Sequence, residues 1–223
     1  MIRRIFFLSI VLTGLALTSF AQNKYSFGFE VSPNFSWATS NTKYVSNDGS
    51  VLGIKYGLRG DKFFGENYAF TSGLIISHTG INLNYSDSLI LKTVDDTYVV
   101  DSGSSVGYHM QYLEIPLGFK FQSKEIGYLR ILFEGGIIPA VRLRAKATVD
   151  ANDIDKEELK QGIRLFSTSY YFEGGVAYSL GAQVAIKGAV YWSSGFFDIT
   201  NDDNKRDDRI TQNSVGLKLG LVF

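Results

Sequence analysis

The chain has 223 residues, 45% of them hydrophobic and 14% aromatic, and its 22 basic and 22 acidic residues balance to a formal net charge of zero. That length suits one domain, and the balance gives no electrostatic ground for a nucleic-acid partner. There is no cysteine, which excludes disulfides, thiolate metal sites and a lipid-modified cysteine behind a leader.

Arg3 and Arg4, the apolar run from Ile5 to Leu17 and the small-x-small triplet Ser19-Phe20-Ala21 have the pattern of a secretory signal peptide over residues 1–21, cut before Gln22. The expected domain is then 22–223. No later stretch is apolar for long enough to make a transmembrane helix, so any membrane passage falls to strands.

The first expected strand is Tyr25 to Ala38. In it Tyr25, Phe27, Phe29, Val31, Pro33, Phe35 and Trp37 alternate with Ser26, Gly28, Glu30, Ser32, Asn34 and Ser36. This period of 2 gives a strand one greasy and one polar face. The second, Val51 to Lys62, sets Leu52, Ile54, Tyr56 and Leu58 against Lys55, Gly57 and Arg59. The third, Tyr68 to Gly80, opposes Tyr68, Phe70, Leu74 and Ile76 to Ala69, Thr71 and Gly73. In the fourth, Tyr108 to Phe121, the polar face holds Tyr112, Glu114, Gly118 and Lys120. The fifth, Tyr128 to Ala145, puts Arg130, Glu134, Gly136, Arg142 and Arg144 on that face. The sixth (Phe166 to Tyr178), seventh (Ala182 to Phe196) and eighth (Ile210 to Phe223) add Glu173, then Gln183, Lys187 and Tyr191, then Gly216, Lys218 and Gly220.

The connections alternate in length. Those after the second, fourth and sixth strands are short; those after the first, third, fifth and seventh are long and polar, Ile81 to Gly107 being the longest. Short turns on one side and long loops on the other are the layout of outer-membrane barrels, with the long loops outside the cell. The expected fold is all-β: an eight-stranded antiparallel transmembrane β-barrel of up-and-down topology.

A soluble eight-stranded barrel of the lipocalin kind shares the size and the periodicity. Composition separates the two. The polar face here is mostly Ser, Gly, Ala and Thr with scattered ions, which suits a crowded interior. The other face is Leu, Ile, Phe and Tyr, with aromatics near strand ends (Tyr25, Trp37, Tyr68, Trp192, Phe196, Phe223) as in interfacial girdles.

The candidate site is the charge on the polar face: Glu30, Lys55, Arg59, Glu114, Lys120, Arg130, Glu134, Arg142, Glu173, Lys187 and Lys218. An ion path is one reading. A plug of mutually paired ions is the favoured one, because eight strands enclose an interior that side chains fill, and a buried charge without a partner is costly. His78 and His109 are the only histidines; they raise the alternative of a lipid-modifying enzyme. Ser77 next to His78 points to the opposite face, so no nucleophile–base pair is expected, and no catalytic, cofactor or metal residue is assigned. The acidic loop clusters (Asp95-Asp96, Asp150 to Glu158, Asp198 to Asp208) lack the spacing of a calcium loop. Asp155 to Gln161 is read as one or two helical turns.

Tyr112-Leu113-Glu114-Ile115-Pro116-Leu117-Gly118, followed by Glu134-Gly135-Gly136, and the ending Gly216-Leu217-Lys218-Leu219-Gly220-Leu221-Val222-Phe223 resemble the PorT-like outer-membrane β-barrel family. The resemblance implies an integral outer-membrane protein of a Gram-negative cell. It also implies that the terminal Phe223 serves as an assembly signal for the barrel-insertion machinery. The other partners expected are outer-membrane lipid and lipopolysaccharide, and an envelope protein of unspecified kind. The expected role is non-enzymatic, structural or interactive, with a narrow pore or a subunit of a secretion or transport assembly as the alternative.

Overall fold

The structure, a computed structural model, describes residues 25–94, 96–149, 154–160, 162–181, 183–200 and 209–223. The signal peptide expected over 1–21 lies outside them, as do Asp95 and residues 150–153 and 201–208 of the other two acidic loop clusters.

Among the described residues thirteen strands follow one another: β1 (Tyr25–Ser40), β2 (Val45–Asn47), β3 (Val51–Phe63), β4 (Tyr68–Tyr85), β5 (Leu89–Lys92), β6 (Thr97–Val100), β7 (Ser105–Glu114), β8 (Leu117–Gln122), β9 (Leu129–Val149), β10 (Ile154–Glu158), β11 (Phe166–Gly181), β12 (Val184–Gly195) and β13 (Ile210–Val222). The wall of the molecule runs β1, β3, β4, β7 with β8, β9, β11, β12, β13, and every neighbouring pair is antiparallel. β13 returns to β1, with Phe29 opposite Leu221 and Phe35 opposite Val215, so the sheet closes as an eight-stranded up-and-down barrel. Closure removes the open edge whose N–H and C=O groups hydrocarbon could not satisfy.

β7 and β8 are one wall interrupted, where a single strand from Tyr108 to Phe121 was expected. Pro116 has no N–H to give to a ladder, and the Ile115 amide donates to the Pro139 carbonyl at 2.9 Å instead. A second departure lies at Gln183, expected to face inward in the seventh strand. It falls in the tight turn before β12, at a left-handed φ of 69°.

The outward face carries the alternate apolar series. Phe27, Leu52, Leu58, Phe119, Phe172 and Leu219 are each about 60% exposed or more, a surface suited to lipid and not to water. Rings cluster near strand ends, where Tyr170 contacts both Trp192 and Phe196.

The long connections are not the purely polar loops that composition implied. β4 runs on to Tyr85 and β9 to Val149, beyond the strand ends expected, and β5 and β6 form a separate hairpin. Ile154–Glu158 is not helical but a strand paired to the top of β9, with Glu158 opposite Lys146. Towards the long connections the inward side chains turn apolar. Ile81 and Leu83 of β4, Val106, Tyr108 and Met110 of β7, and Ala145, Ala147 and Val149 of β9 are buried together with Leu91, Val100, Leu159 and Ile199 from the loops. This second core fills the end of the barrel that carries the long connections.

Candidate functional site

The inward face below that core is built by strand parity alone. With side chains alternating across a sheet, Glu30 on β1, Lys55, Arg59 and Asp61 on β3, Glu114 on β7, Lys120 on β8, Glu134 on β9, Glu173 on β11, Lys187 on β12 and Lys218 on β13 all enter the lumen. Their side chains retain at most 13% exposure. Five carboxylates meet five cations.

The contacts form one continuous lattice in the middle of the barrel. Arg59 is paired with Glu134 and stands 3.9 Å from Glu30. Glu30 lies 3.4 Å from Lys218, and Lys218 is 2.6 Å from Glu173. Lys187 joins Glu173 to Glu134, the latter at 3.8 Å. The Tyr171 hydroxyl donates to Glu134 at 2.6 Å, and Arg59 also donates to the Thr71 hydroxyl at 2.9 Å. Each buried charge thus faces more than one opposite group, the condition under which burial of ions is tolerable.

Two outlying pairs flank the lattice. Towards the short turns, Lys120 meets Asp61 at 2.5 Å, and Ser26 donates to the same carboxylate at 3.1 Å. Towards the apolar core, Lys55 meets Glu114 at 2.9 and 3.1 Å. The Tyr191 ring lies between Lys55 (5.5 Å) and Lys218 (5.4 Å), a cation–π link from the upper pair to the lattice. The spaces left beside Lys55 and below Glu30 are only about 40 and 20 Å³, room for a water or so.

Arg130 and Arg142, expected in this network, take other partners. Arg130 meets Glu125 of the neighbouring short turn at 2.5 Å, with both side chains over a third exposed. Arg142 donates to the Ile163 carbonyl among the loop residues. Arg144, expected inward, stands outside. Gln111 pairs with Arg144 but Tyr112 with Arg142, so Leu143 is an extra residue; one inserted residue reverses the parity of everything after it. Ala145 and Ala147 then point in.

Asp61, Tyr171 and Tyr191 were not among the expected site residues. Asp61 shares the parity of Lys55 and Arg59, and Tyr171 that of Glu173, so alternation already marked both. The motif glycines gain a role here. A Cβ on Gly118 would lie 2.3 Å from the Tyr171 hydroxyl, and one on Gly216 2.7 Å from the Tyr191 ring. Both glycines leave room for the two lattice tyrosines.

The histidines are elsewhere. His78 lies on the outer surface, its Nε2 3.4 Å from the Tyr56 hydroxyl, while Ser77 is buried on the opposite face. Among the described residues, no cluster of three or more His, Asp or Glu side chains is arranged to hold a metal ion. Phe223 sits at the rim by the short turns, its ring half exposed. Its backbone pairs with Phe27 through two hydrogen bonds of 2.7 and 3.0 Å.

Several solved structures are similar to this chain. Ail, the attachment invasion locus protein of Yersinia pestis, is 14% identical, with 90% of this chain and 98% of that one covered and a TM-score of 0.40. The outer membrane protein OprG of Pseudomonas aeruginosa is 11% identical, covering 90% and 96%, with a TM-score of 0.42. The outer membrane protease OmpT of Escherichia coli is 9% identical, covering 90% and 95%, with a TM-score of 0.43. No curated protein matches the sequence. The family model of the outer membrane protein beta-barrel domain matches residues 20–201, most of the chain. On that match and the closed antiparallel sheet, the chain is an outer-membrane protein and belongs to the outer membrane protein beta-barrel domain family.

Proposed function

We propose that this barrel is non-enzymatic and serves a structural or interaction role, exported by a signal peptide at 1–21, with its four long connections outside the cell and its lumen closed. The observation that carries this reading is the balanced ion-pair lattice beneath an apolar core: the two fill the interior at successive levels, and neither leaves a wide passage. The separation of Ser77 and His78 onto opposite faces favours the non-catalytic side of the reading. The test is conductance of the purified barrel in planar bilayers. Little or no steady current is expected, and a large stable open current would overturn the closed lumen.

A second reading, a subunit of a secretion or transport assembly as the PorT-like resemblance suggests, draws support from the β5–β6 hairpin. There Ile90, Val94 and Val99 are each about 60% exposed, an apolar surface away from the lipid band of the kind that marks protein contacts. Extraction in mild detergent, with identification of what co-purifies, tests it. A defined stoichiometric partner would favour the assembly, and recovery of the barrel alone would favour the first reading.

A further inference from the structure

On the outside of β4, β7 and β9 the lipid-facing surface changes character along a single register line. Tyr56, Ile76, Leu113 and Val141 lie side by side across four strands, all apolar. One pair higher the same face reads Ile54, His78, Gln111 and Arg144, and the next brings His109 beside Lys146. An abrupt passage from apolar to polar and cationic side chains is what the boundary between acyl chains and headgroups selects.

The site has shape as well as charge. A groove of about 560 Å³ is lined by Arg144, Lys146 and Lys156 on one side and by Leu52 and Ile54 on the other. Two irregularities build it. The extra residue at Leu143 turns Arg144 and Lys146 outward. The register shift in β10 leaves Lys156 at a left-handed φ of 54°, its amide donating to Thr148 Oγ1 at 3.3 Å. Among the described residues no carboxylate forms an ion pair with Lys146 or Lys156, and Arg144 has only the half-exposed Glu158, at 3.9 Å. Three cations line the lip of an apolar trough, and among the described residues Glu158 is the one carboxylate in ion-pair range of them.

We infer that this groove binds a phosphate-bearing lipid of the outer leaflet, its phosphate held by Arg144, Lys146 and Lys156 and an acyl chain laid against Leu52 and Ile54. The inference rests on the proposed orientation, with long connections outside, for its choice of leaflet. Arg and Lys are suited to the headgroup because both donate to phosphate oxygens, Arg in a fork. The trough beneath makes the ligand a lipid and not a free anion.

The experiment uses the full barrel in a neutral detergent, with diphosphorylated lipid A as the probe, and retained lipid read by native mass spectrometry. Wild type should hold lipid A, and the triple variant Arg144→Gln, Lys146→Gln, Lys156→Gln should hold it on the order of a hundredfold more weakly, each cation near an anionic surface contributing a factor of about five. Lys124→Gln, in a short turn at the other end, should bind as wild type. Dephosphorylated lipid A should bind poorly, and inorganic phosphate should not displace the bound lipid. Equal binding by wild type and triple variant, or equal binding of phosphorylated and dephosphorylated lipid, would overturn the inference. Displacement by inorganic phosphate would reduce the site to an anion site and overturn the lipid assignment. Heat-modifiable gel mobility reports folding of each variant. If the triple variant fails to fold, Arg144→Gln and Lys146→Gln are read singly, and unchanged binding in both overturns the site. Binding in detergent does not depend on orientation in the cell, so surface labelling tests the leaflet separately.

Discussion

Arg59 of β3 and Glu134 of β9 form an ion pair across the lumen, although their strands are not paired and two strands of the wall, β4 and the interrupted β7–β8, stand between them. The contact exists only when the sheet is closed. It ties opposite sides of the cylinder, and Lys187 and Tyr171 hold the same carboxylate from two further strands.

Removing Glu134 therefore leaves Arg59 and Lys187 short of a partner in a buried site. Glu134→Ala should lower barrel stability by about 3–5 kcal/mol in urea unfolding from detergent, the cost of stranding a buried charge. Glu125→Ala, which breaks the exposed pair with Arg130, should cost at most about 1 kcal/mol. Equal effects of the two variants would show that the lattice is well hydrated and adds no more than a surface pair.

Gly118 and the Tyr171 hydroxyl compete for one space. Gly118→Ala would place a methyl 2.3 Å from that oxygen and 3.0 Å from the Gly135 carbonyl, and should cost about 1–3 kcal/mol as overpacking. Tyr171→Phe removes the oxygen, so in the double variant the penalty of the alanine should shrink. A double-mutant cycle measures the coupling, and strict additivity would count against the shared space.

The apolar core above the lattice should behave as a packed interior. Leu83 is fully buried in it, so Leu83→Ala should destabilise by about 2–5 kcal/mol and speed proteolysis between β4 and β7. Leu52→Ala, on the lipid face at 68% exposure, should leave the proteolysis rate unchanged.

Because the chain has no cysteine, single introduced thiols report topology without background. Cysteines at Asp48 and Ser102, in two of the long connections, should react with an impermeant reagent on intact cells, whereas one at Lys124 should react only after lysis. Labelling of Lys124 alone would invert the proposed orientation.

Phe223 pairs with Phe27 through its backbone while its ring stays half exposed. If it is an assembly signal, deleting it should lower folded barrel in the outer membrane far more than refolding yield in detergent. Equal losses in both assays would leave it as one more ring in the interfacial girdle.

The eight wall strands, their order and the closed antiparallel barrel were legible in the sequence, because a period of 2 recurs in eight segments between Tyr25 and Phe223 and composition assigns the apolar face to lipid. Parity also named most of the lattice, and even Asp61 was legible as the next inward position after Arg59. Only the tertiary structure decided the rest. Which carboxylate meets which cation depends on barrel closure and register, which bring Arg59 to Glu134 across the lumen. Arg144 escaped the parity rule because one extra residue at Leu143 reverses it, a bulge that a regular alternation does not announce. The apolar core was hidden for a related reason. Ile81, Leu83, Val106 and Val149 lie in segments whose composition reads as polar loop, and they become a core only when four connections fold over the same end of the barrel.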